Sequence, residues 1–168
     1  MRPPLEFFVA GIPKPTPRIK ATHFGKFTHV YTPKDADDWK LIVRNEARKA
    51  WLNEESMGTA PAWEGPLRVD LTFYFPRPKS HFKSQSSAAK AANAPLILKP
   101  TAPTWHMAKP DRDNSDKAIL DALTNLGIWH DDKQACAGFI EKRYCTPPGL
   151  PGCRIKIQEA GETSGGAA

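Results

Sequence analysis

The stretch Leu67–Phe75 constrains the fold more than any other. Leu67, Val69, Leu71, Phe73 and Phe75 occupy every second position, with mostly polar residues between them. A strand sends alternate side chains to opposite faces, so the pattern predicts a half-buried β-strand. A second strand is expected at Leu5–Val9, followed by GIPKPTPRIK, a proline-spaced basic connection that cannot be helical. Phe27–Tyr31 reads as a short hairpin strand. From Thr32 and Pro33 to near Leu52 the spacing of Trp39, Ile42, Val43, Ala47, Ala50 and Trp51 predicts a helix, with Thr32 or Asp35 as its cap. A loop holding Gly58, Pro61, Gly65 and Pro66 separates that helix from the Leu67–Phe75 strand.

Beyond Phe75 the periodicity stops. Residues Arg77 to Thr104 are Lys-, Ser-, Ala- and Pro-rich, and a loop of that length is either functional or disordered; Ser86–Ala94 is expected to form at most a marginal helix. Trp105–Met107 reads as a short strand. Asp113–Leu126 is a well-marked helix, its buried stripe formed by Ile119, Ala122, Leu123 and Leu126, with Asp113 and Asp116 as a capping pair and Gly127 as its stop. Strands are expected at Gly138–Tyr144 and Arg154–Ile157. The tail from 159 to 168 is expected to be disordered, which leaves one domain over 1–158 with a long basic loop at 79–104.

The chain has 168 residues, net charge +6 and a pI near 9.3, a balance that favours polyanionic partners. No run approaches the roughly 20 apolar residues of a membrane span. Three cysteines, Cys136, Cys145 and Cys153, are an odd number confined to the last third, so a reduced, cytoplasmic protein is expected. The charge distribution is more informative. From Arg77 to Pro110 there are six basic residues, Arg77, Lys79, Lys83, Lys90, Lys99 and Lys109, and no acidic one. From Asp111 to Asp132 there are six aspartates against Arg112 and Lys117. If the partner is nucleic acid, those carboxylates repel it unless a divalent cation neutralises them.

The acidic segment reads KPDRDNSDKAILDALTNLGIWHDDKQ, Lys109 to Gln134. Asp111 and Asp113 stand two apart at the end of an extended segment and so share a side. Lys117 follows Asp113 by one helical turn. After Gly127 the chain is expected to lead back toward the start of the helix, where Asp131 and Asp132 join the first pair. Oxygen donors with no His or Cys cage suit magnesium, which completes its octahedron with water and substrate phosphate.

The order Asp-x-Asp-Asn, three residues to Lys, then Asp-Ala-Leu, a Gly, an aromatic and Asp-Asp-x-Gln resembles the signature of RusA-family Holliday-junction resolvases. The likeness is close over Lys109–Gln134. It implies a mixed α/β (α+β) fold, with a small mixed sheet and two main helices in a single compact domain. It implies a magnesium-dependent endodeoxyribonuclease, with manganese as a plausible substitute, acting as a homodimer that cuts branched DNA by paired symmetric nicks. By position the family's catalytic, metal-holding aspartates fall on Asp111, Asp113 and Asp132 and its essential lysine on Lys117, with Asp131 as a neighbour of the metal. Lys14, Arg18, Lys20, Lys79, Lys83, Lys90 and Lys109 are the candidates for phosphate contact. The Arg77–Thr104 segment is longer than a minimal family member needs, which bears on how DNA is gripped.

Each of these residues also has a plain structural role open to it. Asp113 can serve as a helix cap, Lys117 as the partner of Asp113 or Asp121, and Asp131 and Asp132 as turn residues. Other functions stay open as well: a nuclease of other branched or single-stranded DNA, a non-catalytic junction-binding protein, or a basic assembly protein. His130 is a weaker candidate base, because metal-bound water supplies a nucleophile without it. A zinc site from His130 and the cysteines lacks the compact spacing of zinc motifs. Trp105 and Trp129 are expected in the core or at a dimer contact.

Overall fold

The computed structural model describes residues 2–17, 20–24, 27–31, 36–53 and 61–161, with side chains for 2–17, 36–52 and 61–161. The chain forms a mixed α/β domain. Its strands are β1 (Leu5–Ala10), β2 (Lys20–Phe24), β3 (Phe27–Tyr31), β4 (Leu67–Phe75), β5 (Ala135–Ala137), β6 (Ile140–Tyr144) and β7 (Gly152–Glu159). Its helices are α1 (Asp37–Asn53), α2 (Ser87–Ala91) and α3 (Arg112–Leu126). β2 and β3 form a separate antiparallel hairpin. The main sheet runs β1–β7–β4, and the far side of β4 is shared by β5 at its start and β6 at its end. β7 is antiparallel to β1 and β4, whereas β5 and β6 run parallel to β4, with Leu67 opposite Ala135 and Phe73 opposite Lys142.

α1 and α3 pack together on one face of this sheet. α1 contributes Trp39, Val43 and Ala47, a spacing of i, i+4 and i+8 that keeps one stripe inward, while Ile42 of the expected stripe is 40% exposed. α3 contributes Ala118, Ile119, Ala122 and Leu123, with Leu126 only partly buried. They meet Leu5 and Val9 of β1, Val69, Leu71 and Phe73 of β4, and Ile155 and Ile157 of β7. Each large aliphatic side chain taken from water here contributes about 1.5–3 kcal/mol. Gly127 ends α3 at φ 82°, and its N–H bonds back to the Leu123 and Thr124 carbonyls.

Several expectations change. β4 is not half-buried: Asp70 and Thr72, on its other face, are each only 9% exposed. β4 is interior to the sheet, and Arg68 closes over Asp70 with both carboxylate oxygens 3.0 Å from Nε. The strand Lys20–Phe24 begins on the last residue of the stretch read as connection. Trp105 is 53% exposed, with the Arg143 guanidinium 4.8 Å over its ring, and its strand-type pairing is an isolated bridge to Arg143, so Trp105–Met107 is not a strand and Trp105 is not core, whereas Trp129 is buried. The expected Gly138–Tyr144 strand is shortened to β6, which starts at Ile140, and an unexpected strand, β5, precedes it at Ala135–Ala137; between them Gly138, at φ 141°, brings the chain so close to Val69 that an added Cβ would sit 1.9 Å from its carbonyl oxygen. β7 extends through Glu159, and Ala160 N donates to Pro66 O at 2.9 Å, so ordered chain reaches into the expected tail. Residues 162–168, and the expected caps Thr32 and Asp35, lie outside the described residues.

Candidate active site

α3 begins at Arg112, one residue earlier than its sequence pattern suggests, and Asp111 rather than Asp113 is its N-cap. The Asp111 carboxylate makes no capping hydrogen bond. Its backbone carbonyl instead accepts from Ser115 N at 3.2 Å and from the buried Ser115 Oγ at 2.9 Å. Asp113, in the first turn, is exposed, and so is Lys117 one turn further on. The Asp111–Asp113 pair is thus set by a helix start and not by the alternation of an extended segment.

Two contacts invisible in the motif hold this helix start. Lys142 of β6 donates from Nζ to the Ala108 carbonyl at 2.7 Å and to the Pro110 carbonyl. Burial pulls the Lys142 pKa down and the neighbouring Asp111 carboxylate pulls it back up, which places an ammonium beside Asp111. On the other side Thr16 N donates to Asn114 O at 2.9 Å. This lays the proline-spaced connection against α3 and forms a cleft of about 580 Å³ between Pro15–Pro17 and Lys109–Asp111. Lys14 and Lys109 are exposed beside it. Asp121 is claimed by Lys40 at 2.8 Å, not by Lys117.

Asp131 and Asp132 lie elsewhere. After Gly127 the chain does not lead back along α3: Trp63 N donates to Ile128 O at 2.7 Å, Trp129 bridges in parallel to Trp63, and Trp129 Nε1 donates to Thr124 Oγ1 at 2.7 Å. A 3-10 turn at Asp132–Gln134 follows, pinned by Gln134 Nε2 on the Trp63 and Gly65 carbonyls at 2.9 and 3.1 Å. Only then does β5 start beside Leu67, at the amino end of β4. Lys142, opposite Phe73, bonds the carbonyl of Pro110 just before Asp111, which puts Asp111 near that level, six residues along β4 and therefore about 20 Å away at ~3.3 Å per residue. The 15 residues of α3 give a similar length, about 22 Å at ~1.5 Å per residue. Among the described residues no group of three His, Cys, Asp or Glu side chains is placed to hold a metal ion.

Within the far pair the two aspartates differ. Asp131 caps the 3-10 turn, accepting from Lys133 N at 2.9 Å while Gln134 Oε1 accepts from Asp131 N. That backbone N–H, with help from Asp132 and Lys133, holds the Asp131 carboxyl below its usual range. Asp131 is therefore the turn residue, and Asp132 is the exposed carboxylate. His130 faces Glu64, with Nε2 3.4 Å from Oε1, at this same end. The cysteines do not form a zinc set: Cys136 is exposed, Cys145 partly covered, and Cys153 is buried with its thiol pKa pushed up by burial.

Asp116 was assigned only to a cap. It is half-buried on α3, in a crevice of about 210 Å³ with Val69, Leu71, Leu120 and residues of the 135–140 edge. Burial raises its pKa, Arg112 opposes that, and Asp113 adds to it. Among the phosphate-contact candidates Lys79, Lys83 and Lys90 are exposed on the excursion between β4 and α3, while Arg18 and the Lys20 side chain lie outside the described residues. No described helix is long and apolar enough to cross a membrane.

Two comparisons complete the description. The sequence profile of endodeoxyribonuclease RusA matches residues 10–158, which includes both ends of α3. Over 84 residues the chain is also 37% identical to the uncharacterized protein YqaN of Bacillus subtilis (strain 168), and that alignment covers 50% of this chain and 53% of YqaN. The chain therefore spans about half the length of that relative.

Proposed function

The chain belongs to the RusA family of DNA endonucleases, and we propose from that premise that it resolves four-way DNA junctions by paired, magnesium-dependent nicks. The active form in this reading is a homodimer in which each site draws on both copies. The observation that carries it is the separation just described: Asp111 and Asp113 stand at one end of α3 and Asp132 at the other. A second copy supplies Asp132 to the helix start of the first, and the first does the same in return.

The donor set fits magnesium chemically. Asp111, Asp113 and Asp132 are all exposed, and all three offer hard oxygens. These three would hold the ion, with manganese an acceptable substitute, and Asp131 would remain a turn residue beside it. When bound, the ion supplies polarisation of the scissile phosphate and a more acidic water. The chain's own residues do the rest. Lys117, one turn along from Asp113, faces the charge that develops on the phosphate oxygens. Lys142 fixes the Ala108–Pro110 backbone, and so the position of Asp111. Lys14 and Lys109, with the lysines of the excursion, meet the DNA backbone, whose charge dominates affinity.

The test is cleavage of labelled four-way junctions, flaps and plain duplex, with and without magnesium. Wild-type protein should cut the junction on opposing strands only with the metal, and Asp132→Asn should bind the junction normally without cutting it. Metal-independent cutting, wild-type rates in Asp132→Asn, or equal cutting of plain duplex would each defeat the reading.

A further inference from the structure

The excursion between Arg77 and Pro110 is built unlike the rest of the chain. None of its residues is buried, yet its internal structure is defined. Its two legs are joined by the Phe82–Leu98 bridge, by Lys83 N donating to Ile97 O at 2.8 Å and by Lys99 N donating to His81 O at 2.9 Å. α2 closes the tip, where Ser86 Oγ accepts from Ala89 N at 3.2 Å. At the base Arg77 donates to the Cys145 and Pro103 carbonyls at 2.8 and 2.7 Å, and the His81 ring meets Tyr144 edge-on at 4.7 Å. The result is a finger held by backbone pairing and an anchored base, without a core.

A segment with no fully buried residue gains less from the hydrophobic effect than the rest of the domain, so packing constrains its composition less. That composition is one-sided: six cations and no carboxylate from Arg77 to Pro110. Amid them two adjacent aliphatic side chains, Leu96 and Ile97, stay 51% and 59% exposed. A surface that is cationic with an apolar spot matches a ligand that offers phosphates and bare base faces together. Plain duplex offers the first, and DNA unstacked at a branch offers both. The finger also adjoins the candidate site. Its base continues through Tyr144 N to Thr104 O and His106 N to Lys142 O, and Lys142 in turn holds Ala108 and Pro110 next to Asp111.

We propose that this finger reads the branch point, with Leu96 and Ile97 pressed against unstacked bases while Lys83, Lys90 and Lys99 hold neighbouring phosphates. The inference rests on the reading of the chain as a junction endonuclease and adds the element that tells branched DNA from duplex.

The experiment compares wild type, Leu96→Ser/Ile97→Ser and Lys83→Gln/Lys90→Gln/Lys99→Gln, each with an unchanged thermal melt. Binding is measured in EDTA to a four-way junction carrying 2-aminopurine at the branch and to linear duplex, across a range of salt. Wild type should raise the 2-aminopurine fluorescence. The apolar variant should lose that rise and about tenfold in junction affinity, the scale of one lost stacking contact, with duplex affinity and salt slope intact. The lysine variant should weaken both ligands alike and flatten the slope of log affinity on log salt by up to about 0.9 per lost phosphate contact. An apolar variant that keeps both the fluorescence rise and the junction affinity overturns the inference, and so does one that loses junction and duplex affinity equally. If either occurs while wild type still cuts junctions in magnesium, only the finger's role falls. If wild type neither prefers nor cuts junctions, the functional reading falls with it.

Discussion

If each site is shared between two copies, inactive variants should rescue one another. Asp111→Asn and Asp132→Asn, carried on differently tagged chains, are co-expressed and purified through both tags so that only mixed dimers remain. In such a dimer one site pairs the intact Asp111 of the second chain with the intact Asp132 of the first, and the other site carries both substitutions. The mixed dimer should therefore have half the sites of wild type, while each parent homodimer has none. The separation of the two groups makes the test decisive. With about 20 Å of β4 between Asp111 and Asp132, and ligand bonds to magnesium of only ~2.1 Å, no side-chain rotation within one chain closes the gap. On a supercoiled plasmid extruding a cruciform, the mixed dimer should yield nicked circles with little linear product, because it holds one working site. Wild type should cut both strands within one bound lifetime and give linear DNA. Two inactive parents with an equally inactive mixed dimer would refute the shared site, and failure of the two tags to co-purify would refute the dimer.

Two further outcomes follow from the charges around α3. Lys142→Met removes two charge-assisted hydrogen bonds to the Ala108 and Pro110 carbonyls. It should cost about 2 kcal/mol, lowering Tm by about 6 °C, and should reduce cleavage more than junction binding; a variant with wild-type melting and cleavage would show that this lysine does not set the helix start. Asp116 has a raised pKa from burial, so its ionised form opposes folding, and that cost grows as pH rises from the ordinary carboxylate range through the raised value. Asp116→Asn should melt higher than wild type at pH 7 in EDTA, with the difference closing as the pH is lowered toward about 4; a difference independent of pH would point to altered packing instead.

What was legible in the sequence is what local pattern decides. The alternation at Leu67–Phe75 and the helical spacing from Ile119 to Leu126, closed by Gly127, placed β4 and α3 to within a residue or two. Asp131 and Asp132 were visible as turn material, and the capping box with Gln134 bears out that role for Asp131. The partners of these elements were not legible, because they are chosen across long stretches of chain. The Phe82–Leu98 bridge that orders the finger joins residues with no shared periodicity. Lys142 sits in a strand whose every residue is only partly buried, and nothing nearby marks it as the anchor of a loop more than 30 residues earlier. β4 read as half-buried because Asp70 is polar, whereas its burial depends on Arg68 folding over it.

The path after α3 is the more instructive case. β4 and the β5–β6 edge are parallel neighbours joined through α3, and a parallel pair requires the connecting helix to run back against both strands. Whatever immediately precedes that helix then lies at the carboxyl end of the first strand, and whatever immediately follows lies at the amino end of the second. Asp111 and Asp113 precede α3 and Asp132 follows it, so a motif compact in sequence is necessarily stretched along the length of the domain. A single chain with this topology can bring the aspartates together only by giving up the pairing of Leu67 with Ala135 and the Gln134 anchors on Trp63 and Gly65. In the proposed dimer a second copy would bring them together without breaking either. In the proposed dimer, the crossover that separates the two halves of the site within one chain would give a symmetric pair of sites, the arrangement that two opposed nicks require.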